Sequence, residues 1–197
     1  GLDNIDWTDA IKDTQRNWIG KSQGASIYFK TNGDKKHTIK VFTTRPDTIF
    51  GVSFIVLAPE HELVQKITTK NQEKEIKKYQ NTSRLKTERE RISNVKITTG
   101  AFTGAYATHP FTNKKIPIWI GDYVLANYGT GAVMSVPCGD QRDWEFAKHF
   151  SLEIPNVFKD KDLSKGAITE KDAVITNSDF LDGLTVEKAT KLAIFHI

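Results

Sequence analysis

The sequence is most informative at first for what it has little of. It contains one cysteine, Cys138, which excludes an internal disulfide framework and a cysteine-rich zinc site. Its longest apolar stretches, such as Phe54 to Ala58 and Ile116 to Ile120, fall far short of the ~20 residues a helix needs to cross a bilayer. Gly1 to Thr8 is polar and acidic, so no basic-then-apolar leader opens the chain. There is no P-loop and no G-x-G-x-x-G turn. The five histidines, at 37, 61, 109, 149 and 196, do not pair at metal-ligand spacing, and no metal site is expected. What is present is a globular composition over 197 residues, with 38% apolar, 26% charged and 10% aromatic side chains. This supports one substantial domain and rules out wholesale disorder. A soluble chain without membrane contact is expected, cytoplasmic or organellar in setting.

Charge is unevenly placed. Residues 61–100 carry 10 basic and 5 acidic groups, whereas the rest of the chain is nearly balanced within a net +4. Such a stretch suits a polyanion, and equally suits a solvated helical face.

The first twenty-four residues show no clean strand or long helical period and read as a connecting segment, leaving residues 25–197 as the globular part. From Ala25 the pattern alternates through Ile27 and Phe29, turns at Asn32-Gly33 and resumes at Ile39 and Val41, which predicts a hairpin. Pro46 lacks an N–H and should end regular pairing. Ser53 to Ala58 reads as a buried strand, and Leu63, Val64 and Ile67 recur at helical spacing after Pro59. A charged helix is predicted over Lys74 to Tyr79. The run Arg84 to Arg91 is polar enough to be placed on the surface. Lys96 to Met134 is strand-like, with strands at Phe102 to Ala107, Ile116 to Ile120 and Tyr123 to Leu125. Helices are predicted over Gln141 to Phe150 and Val186 to Phe195, and the abrupt tail suggests a piece of a larger protein. The expected class is α+β, a strand-rich, barrel-like core with peripheral helices.

Three smaller features have ordinary readings beside functional ones. Glu145 and His149 are four apart on one helix face and could share a metal or simply lie on the surface. Cys138 could serve as a nucleophile or be a small buried thiol. Asn81-Thr82-Ser83 fits a glycosylation pattern that an intracellular chain does not use.

Two stretches are chemically unusual. Thr43-Thr44-Arg45-Pro46-Asp47-Thr48 gathers three hydroxyls, a guanidinium and a carboxylate where a strand must end. It can be a capped proline turn, or a set of small groups holding a carbonyl and water beside a cation suited to phosphate. The second runs from Tyr128 through Gly129-Thr130-Gly131-Ala132-Val133-Met134 to Val136-Pro137 and Asp140-Gln141-Arg142-Asp143. Asp140 and Asp143 have capping-box spacing at a helix start. Asp143 could instead grip a substrate ammonium group, with Met134 and Val136 lining an apolar pocket or merely filling core.

At these motifs the sequence resembles the editing domain of leucyl-tRNA synthetase, the insertion called connective polypeptide 1, in its bacterial or organellar form. Thr43 to Thr48 is similar to the threonine-rich signature of that family, Gly129 to Asp143 to its second signature, and Asn17-Trp18-Ile19-Gly20 to the segment leading into the insertion. The match runs from about residue 15 to residue 190. The family often has histidine where this chain has Gly139, and Cys138 is also atypical.

The resemblance implies hydrolysis of the ester between a wrong amino acid and the terminal adenosine of tRNA(Leu), with leucine rejected. Such a second site is needed because an apolar pocket separates side chains differing by one methylene by only ~1–3 kcal/mol. It further implies that Asp143 anchors the α-ammonium group and that Thr43 and Thr44 place the ester carbonyl and water. Thr48 crowds out leucine, while Met134 and Val136 line the side-chain pocket. Tyr128 lies near the adenosine, Arg45 meets phosphate or ribose, and Asp47 braces Arg45. Asp140 and Arg142 complete the substrate-binding set. No cofactor is implied for editing; ATP and magnesium belong to the separate synthetic domain of a parent enzyme. The partners implied are the aminoacylated 3′ end of tRNA(Leu) and the rest of that synthetase. A non-catalytic tRNA-binding insertion remains the rival reading, and a general ester hydrolase lacks a visible nucleophile and base.

Overall fold

A computed structural model describes residues 2–19, 23–33, 35–93, 98–170 and 172–197, with the backbone alone described at positions 17, 19, 92 and 93. Among the described residues there are six strands: β1 Ala25–Asn32, β2 Thr38–Thr43, β3 Phe54–Leu57, β4 Ala101–Thr108, β5 Lys115–Ile120 and β6 Ala132–Ser135. They form one sheet in the order β2-β1-β4-β5-β3-β6. All pairs are antiparallel except β3 with β5, where Ile55 lies opposite Ile118. That parallel pair requires a crossover. It is supplied by α2 Leu63–Ile67, α3 Glu73–Arg84, α4 Glu88–Ser93 and then β4. The edge strands β2 and β6 approach one another without a ladder, which curls the sheet into a nearly closed barrel with helices around it.

Each strand follows from its alternation. In β1 the residues Ala25, Ile27, Phe29 and Thr31 face the core and pair with β2 in the register Ala25↔Thr43 to Lys30↔Thr38. The short strand β3 is buried on both faces, as a continuous apolar run should be. One side packs against α5 Gln141–His149, where Phe54 stacks on Phe146 at 5.0 Å. In β4 a bulge between Phe102 and Tyr106 centres on Gly104, whose φ is +78°. A Cβ there would come within 2.0 Å of the Thr69 hydroxyl, so only glycine lets the α2–α3 connection lie this close. The last helix, α6 Val186–His196, packs on the 3-10 turn Pro46–Gly51.

Four sequence expectations change. Asp9–Ile19 is a helix, α1, where no helical period was expected; its few apolar residues gather on one side, but Ile11 and Trp18 there are exposed rather than buried. Tyr123 to Leu125 is turn rather than strand. Its carbonyls are taken by Arg91, whose guanidinium donates to the Asp122 and Val124 oxygens and to Glu60. Arg91 is therefore buried, at 8% exposure, although the surrounding charged run reads as surface. The predicted helix over Lys74 to Tyr79 extends to Glu73–Arg84. Gly20 of the Asn17–Gly20 motif and Lys96, the predicted start of the strand-like stretch, lie outside the described residues.

Candidate active site

The site forms where the two barrel edges meet. β2 ends at Thr43 because Pro46 cannot donate to a ladder and instead opens the 3-10 turn. The chain is pinned locally: the Arg45 N–H donates to Thr43 Oγ1 at 3.0 Å, and the Thr48 hydroxyl donates to the Arg45 carbonyl at 2.9 Å. Asp47 is fully buried and grips Arg45 with both oxygens, Oδ1 to Nε at 3.0 Å and Oδ2 to a terminal nitrogen at 2.9 Å. These bonds raise the Arg45 pKa against the opposing effect of burial. Thr190 of α6 reaches Asp47 Oδ1 at 3.2 Å from behind.

The other half comes from β6 and α5. Asp140 caps α5 by accepting the Asp143 N–H at 3.1 Å, as its spacing predicts. Asp143 does not return the capping-box bond. Its carboxylate Oδ2 accepts the Val136 N–H at 2.8 Å instead. Burial, followed by the Asp140 charge, pushes the Asp143 carboxyl up to about 7, although the Val136 N–H and the neighbouring Ser135 hydroxyl favour the ionised form. Ser135 and Tyr123 both keep buried hydroxyls that close no hydrogen bond in this conformation, so the Ser135 contribution is one of proximity.

Two adjoining cavities open beside Asp143. A cavity of about 170 Å³ and one of about 640 Å³ share Thr43, Met134, Asp140 and Asp143. The smaller is closed by Arg45, Thr48, Val136 and Gly139. The larger adds Thr44, Tyr128 and Arg142, with the Arg142 guanidinium 5.3 Å from the Tyr123 ring centre. Ten of the eleven expected site residues thus line one cavity or the other. Asp47 lines neither and supports the site from behind through its bonds to Arg45. The small cavity combines threonine methyl, thioether and valine surface with two carboxylates, Asp140 and Asp143, and the Arg45 guanidinium, so it offers apolar surface for a modest side chain beside groups that can meet an ammonium. A Cβ at Gly139 would meet Phe158 and Val136 at no less than 3.6 Å, so packing does not demand glycine there.

Other candidates fall away on geometry. Cys138 is fully buried, and burial raises its thiol pKa to about 11, far from a thiolate. His109 is held neutral by burial, with Nε2 2.9 Å from the Ile49 carbonyl and Nδ1 accepting backbone N–H groups. No histidine lines either cavity among the described residues. Glu145 accepts a bond from Gln141, and His149 packs edge-on against Phe150. No G-x-S-x-G nucleophile turn is expected, yet Gly20-Lys21-Ser22-Gln23-Gly24 has that spacing. Residues 20–22 lie outside the described residues, and the flanking order is helix α1 then strand β1, the reverse of the strand-to-helix turn that chemistry uses.

A family model described as "Leucyl-tRNA synthetase, editing domain" matches residues 16–197. The chain belongs to that family. Among curated proteins, the leucine–tRNA ligase of Christiangramia forsetii is 59% identical over 197 residues, covering all of this chain and 20% of that protein. That of Flavobacterium psychrophilum is 52% identical over 216 residues, covering 98% and 22%. Among solved structures, the crystal structure of the Agrobacterium radiobacter K84 agnB2 LeuRS–tRNA–LeuAMS ternary complex superposes with a TM-score of 0.72 at 30% identity, covering 99% of this chain and 21% of that one. The editing-domain chain spans about one fifth of the length of the curated relatives it matches.

Sequence reasoning missed several residues that line the larger cavity of this editing domain, among them Phe42, Tyr123, Val124 and Leu125. For Phe42 a signal existed: it occupies the outward, polar parity of β2, where Thr38 and Lys40 are its companions. For the turn residues none did, since their place depends on Arg91 more than thirty positions away.

Proposed function

We propose that this chain hydrolyses the ester joining a noncognate amino acid, such as isoleucine, methionine or norvaline, to the terminal adenosine of tRNA(Leu), and spares leucyl-tRNA. The observation that carries the reading is that Asp143 and Thr48 line one cavity of about 170 Å³. Asp143 anchors the α-ammonium group by a charge-assisted hydrogen bond, and the Thr48 methyl crowds the space a leucine side chain would need. Met134 and Val136 hold the accepted side chain. Thr43, which lines both cavities, and Thr44, in the larger, place the ester carbonyl and the attacking water. Tyr128 and Arg142 receive the adenosine in the larger cavity. Arg45, braced by Asp47, meets phosphate or ribose, and Asp140 fixes the helix that presents Asp143.

The reaction then rests on placement and electrostatics: water adds to the carbonyl, the bond from the carbonyl carbon to the ribose oxygen breaks, and the proton the water gives up ends on that oxygen, releasing the free amino acid and the ribose hydroxyl. The parent protein attaches leucine to tRNA(Leu) with ATP and magnesium in a separate domain, in the cytoplasm, and presents the 3′ end here. The rival reading, a tRNA-binding insertion without catalysis, gives no reason for a small cavity that sets Asp143 and Thr48 beside the apolar surface of Met134 and Val136. The basic stretch it relies on includes α3, which packs on β4, across the sheet from the β2–β6 seam. Incubation of the chain with isoleucyl- and leucyl-tRNA(Leu) tests the proposal. Cleavage of the first and not the second is expected, and equal stability of both esters would overturn it.

A further inference from the structure

The outer face of the β1–β2 hairpin departs from what an exposed sheet face usually carries. Its outward positions are Ser26, Tyr28, Lys30, Thr38, Lys40 and Phe42, two aromatics and two lysines with no acid among them. Tyr28 is 54% exposed and Phe42 53%. Tyr28 and Lys40 are direct cross-strand partners, and the Lys40 ammonium sits 5.9 Å from the Tyr28 ring centre. Phe42 lies two residues further along the same face and forms part of the wall of the larger cavity. Its ring is backed by Gly24: a Cβ there would meet the ring edge at 2.7 Å and the Thr43 carbonyl at 2.3 Å. The glycine thus lets the aromatic ring lie down while its other side stays open. Tyr106, opposite Asn32 on β4, extends the exposed aromatic surface beyond Lys30.

Open aromatic rings alternating with lysines, on a path that ends at a cavity, match what an unpaired nucleic-acid strand binds. Base stacking tolerates any sequence, and each ammonium meets a phosphate. We infer that the Phe42–Tyr28–Lys40 strip holds the single-stranded nucleotides preceding the terminal adenosine, so that the RNA tail runs along the hairpin into the larger cavity. The inference rests on the functional reading above and extends it from the terminal nucleotide to those before it. It also gives the exposed rings on β1 and β2 a reason that core packing does not supply.

The test uses two substrates. One is 3′-isoleucyl-adenosine, which reaches only the cavities; the other is a short single-stranded RNA ending in CCA, labelled for fluorescence anisotropy. Tyr28→Ala should weaken binding of the RNA by at least about fivefold, while Tyr28→Phe, which keeps the ring, should bind as the wild type does. Lys40→Gln should weaken it too and flatten the dependence of log affinity on log salt by about 0.7. Hydrolysis of isoleucyl-adenosine should be unchanged in all three variants. Wild-type RNA affinity in either Tyr28→Ala or Lys40→Gln would overturn the inference. Failure of the wild type to cleave isoleucyl-adenosine would strike the functional reading, while the anisotropy result would still decide whether the strip binds RNA.

Discussion

Asp143 accepts the Val136 N–H at 2.8 Å while its own N–H is held by Asp140 at 3.1 Å, so the helix cap and the cavity wall lock one carboxylate between them. The carboxyl is thereby fixed in a place that resists ionisation, with its pKa at about 7. If Asp143 anchors an ammonium group, only the carboxylate can do so. The free-enzyme profile of kcat/KM for isoleucyl-tRNA(Leu) should therefore rise through pH 7 and fall about tenfold per pH unit below it. A flat profile between pH 5.5 and 7 would assign the anchoring to another group.

The same group sets a stability cost. A carboxyl whose folded pKa lies above its unfolded value binds its proton more tightly when folded, so stability is full below pH 4 and declines as the pH rises toward 7. Asp143→Asn keeps an acceptor for Val136 and removes the buried charge. It should abolish deacylation yet raise Tm at pH 8 by several degrees, with the gain shrinking at pH 5. Thermal unfolding at the two pH values checks this, and a Tm at pH 8 below wild type would mean that the charge is compensated by a partner.

Thr48 divides into two parts that can be tested separately. Its hydroxyl is committed to the Arg45 carbonyl at 2.9 Å, and its methyl is the group available to crowd a ligand. Thr48→Ala and Thr48→Ser should both admit leucine, raising hydrolysis of leucyl-tRNA(Leu) by about 10–100-fold. Thr48→Val keeps the branch and should keep the rejection at a small loss of stability, because the Arg45 carbonyl loses the hydroxyl but keeps the backbone N–H of position 48 at 3.2 Å. A leaky Thr48→Val variant beside a selective Thr48→Ser would move the discrimination from shape to hydrogen bonding.

What the sequence makes legible is what short-range physics decides. The alternation of Ala25, Ile27 and Phe29, the stop at Pro46 and the cap at Asp140 each follow from a few neighbouring residues, and all three appear as expected. Asp143 shows the limit. Its spacing from Asp140 is satisfied by the cap, but the turn of its carboxylate toward Val136 depends on how β6 packs beside α5. The support of Asp47 by Thr190, 143 residues later, has no local sign. Helix α1 differs, because its signal was present: Ala10, Ile11 and Trp18 fall on one side of a segment otherwise polar, although in the structure Ile11 and Trp18 on that side are exposed.

Arg91 carries the clearest consequence of such long-range dependence. Composition places it in a solvated run, yet its guanidinium ties α4 to the Asp122 and Val124 carbonyls and to Glu60, whose Oε1 is 2.8 Å away. The turn it holds supplies Tyr123, Val124 and Leu125 to the wall of the larger cavity. Arg91→Ala should cost about 3 kcal/mol, because Glu60 and two carbonyls lose their partner together. Arg91→Lys cannot reproduce a planar fork reaching three acceptors and should recover little of that loss. The damage should also be directional. With the turn loosened, the KM for the adenosine-bearing ester should rise several-fold, whereas the preference for isoleucyl over leucyl ester, which we propose Thr48 sets in the smaller cavity, should persist. Denaturant unfolding gives the first quantity and competition kinetics the second. Loss of amino-acid selectivity in a still-folded Arg91→Lys variant would mean that the two cavities are not independent, and that the turn at Tyr123 shapes the amino-acid pocket as well.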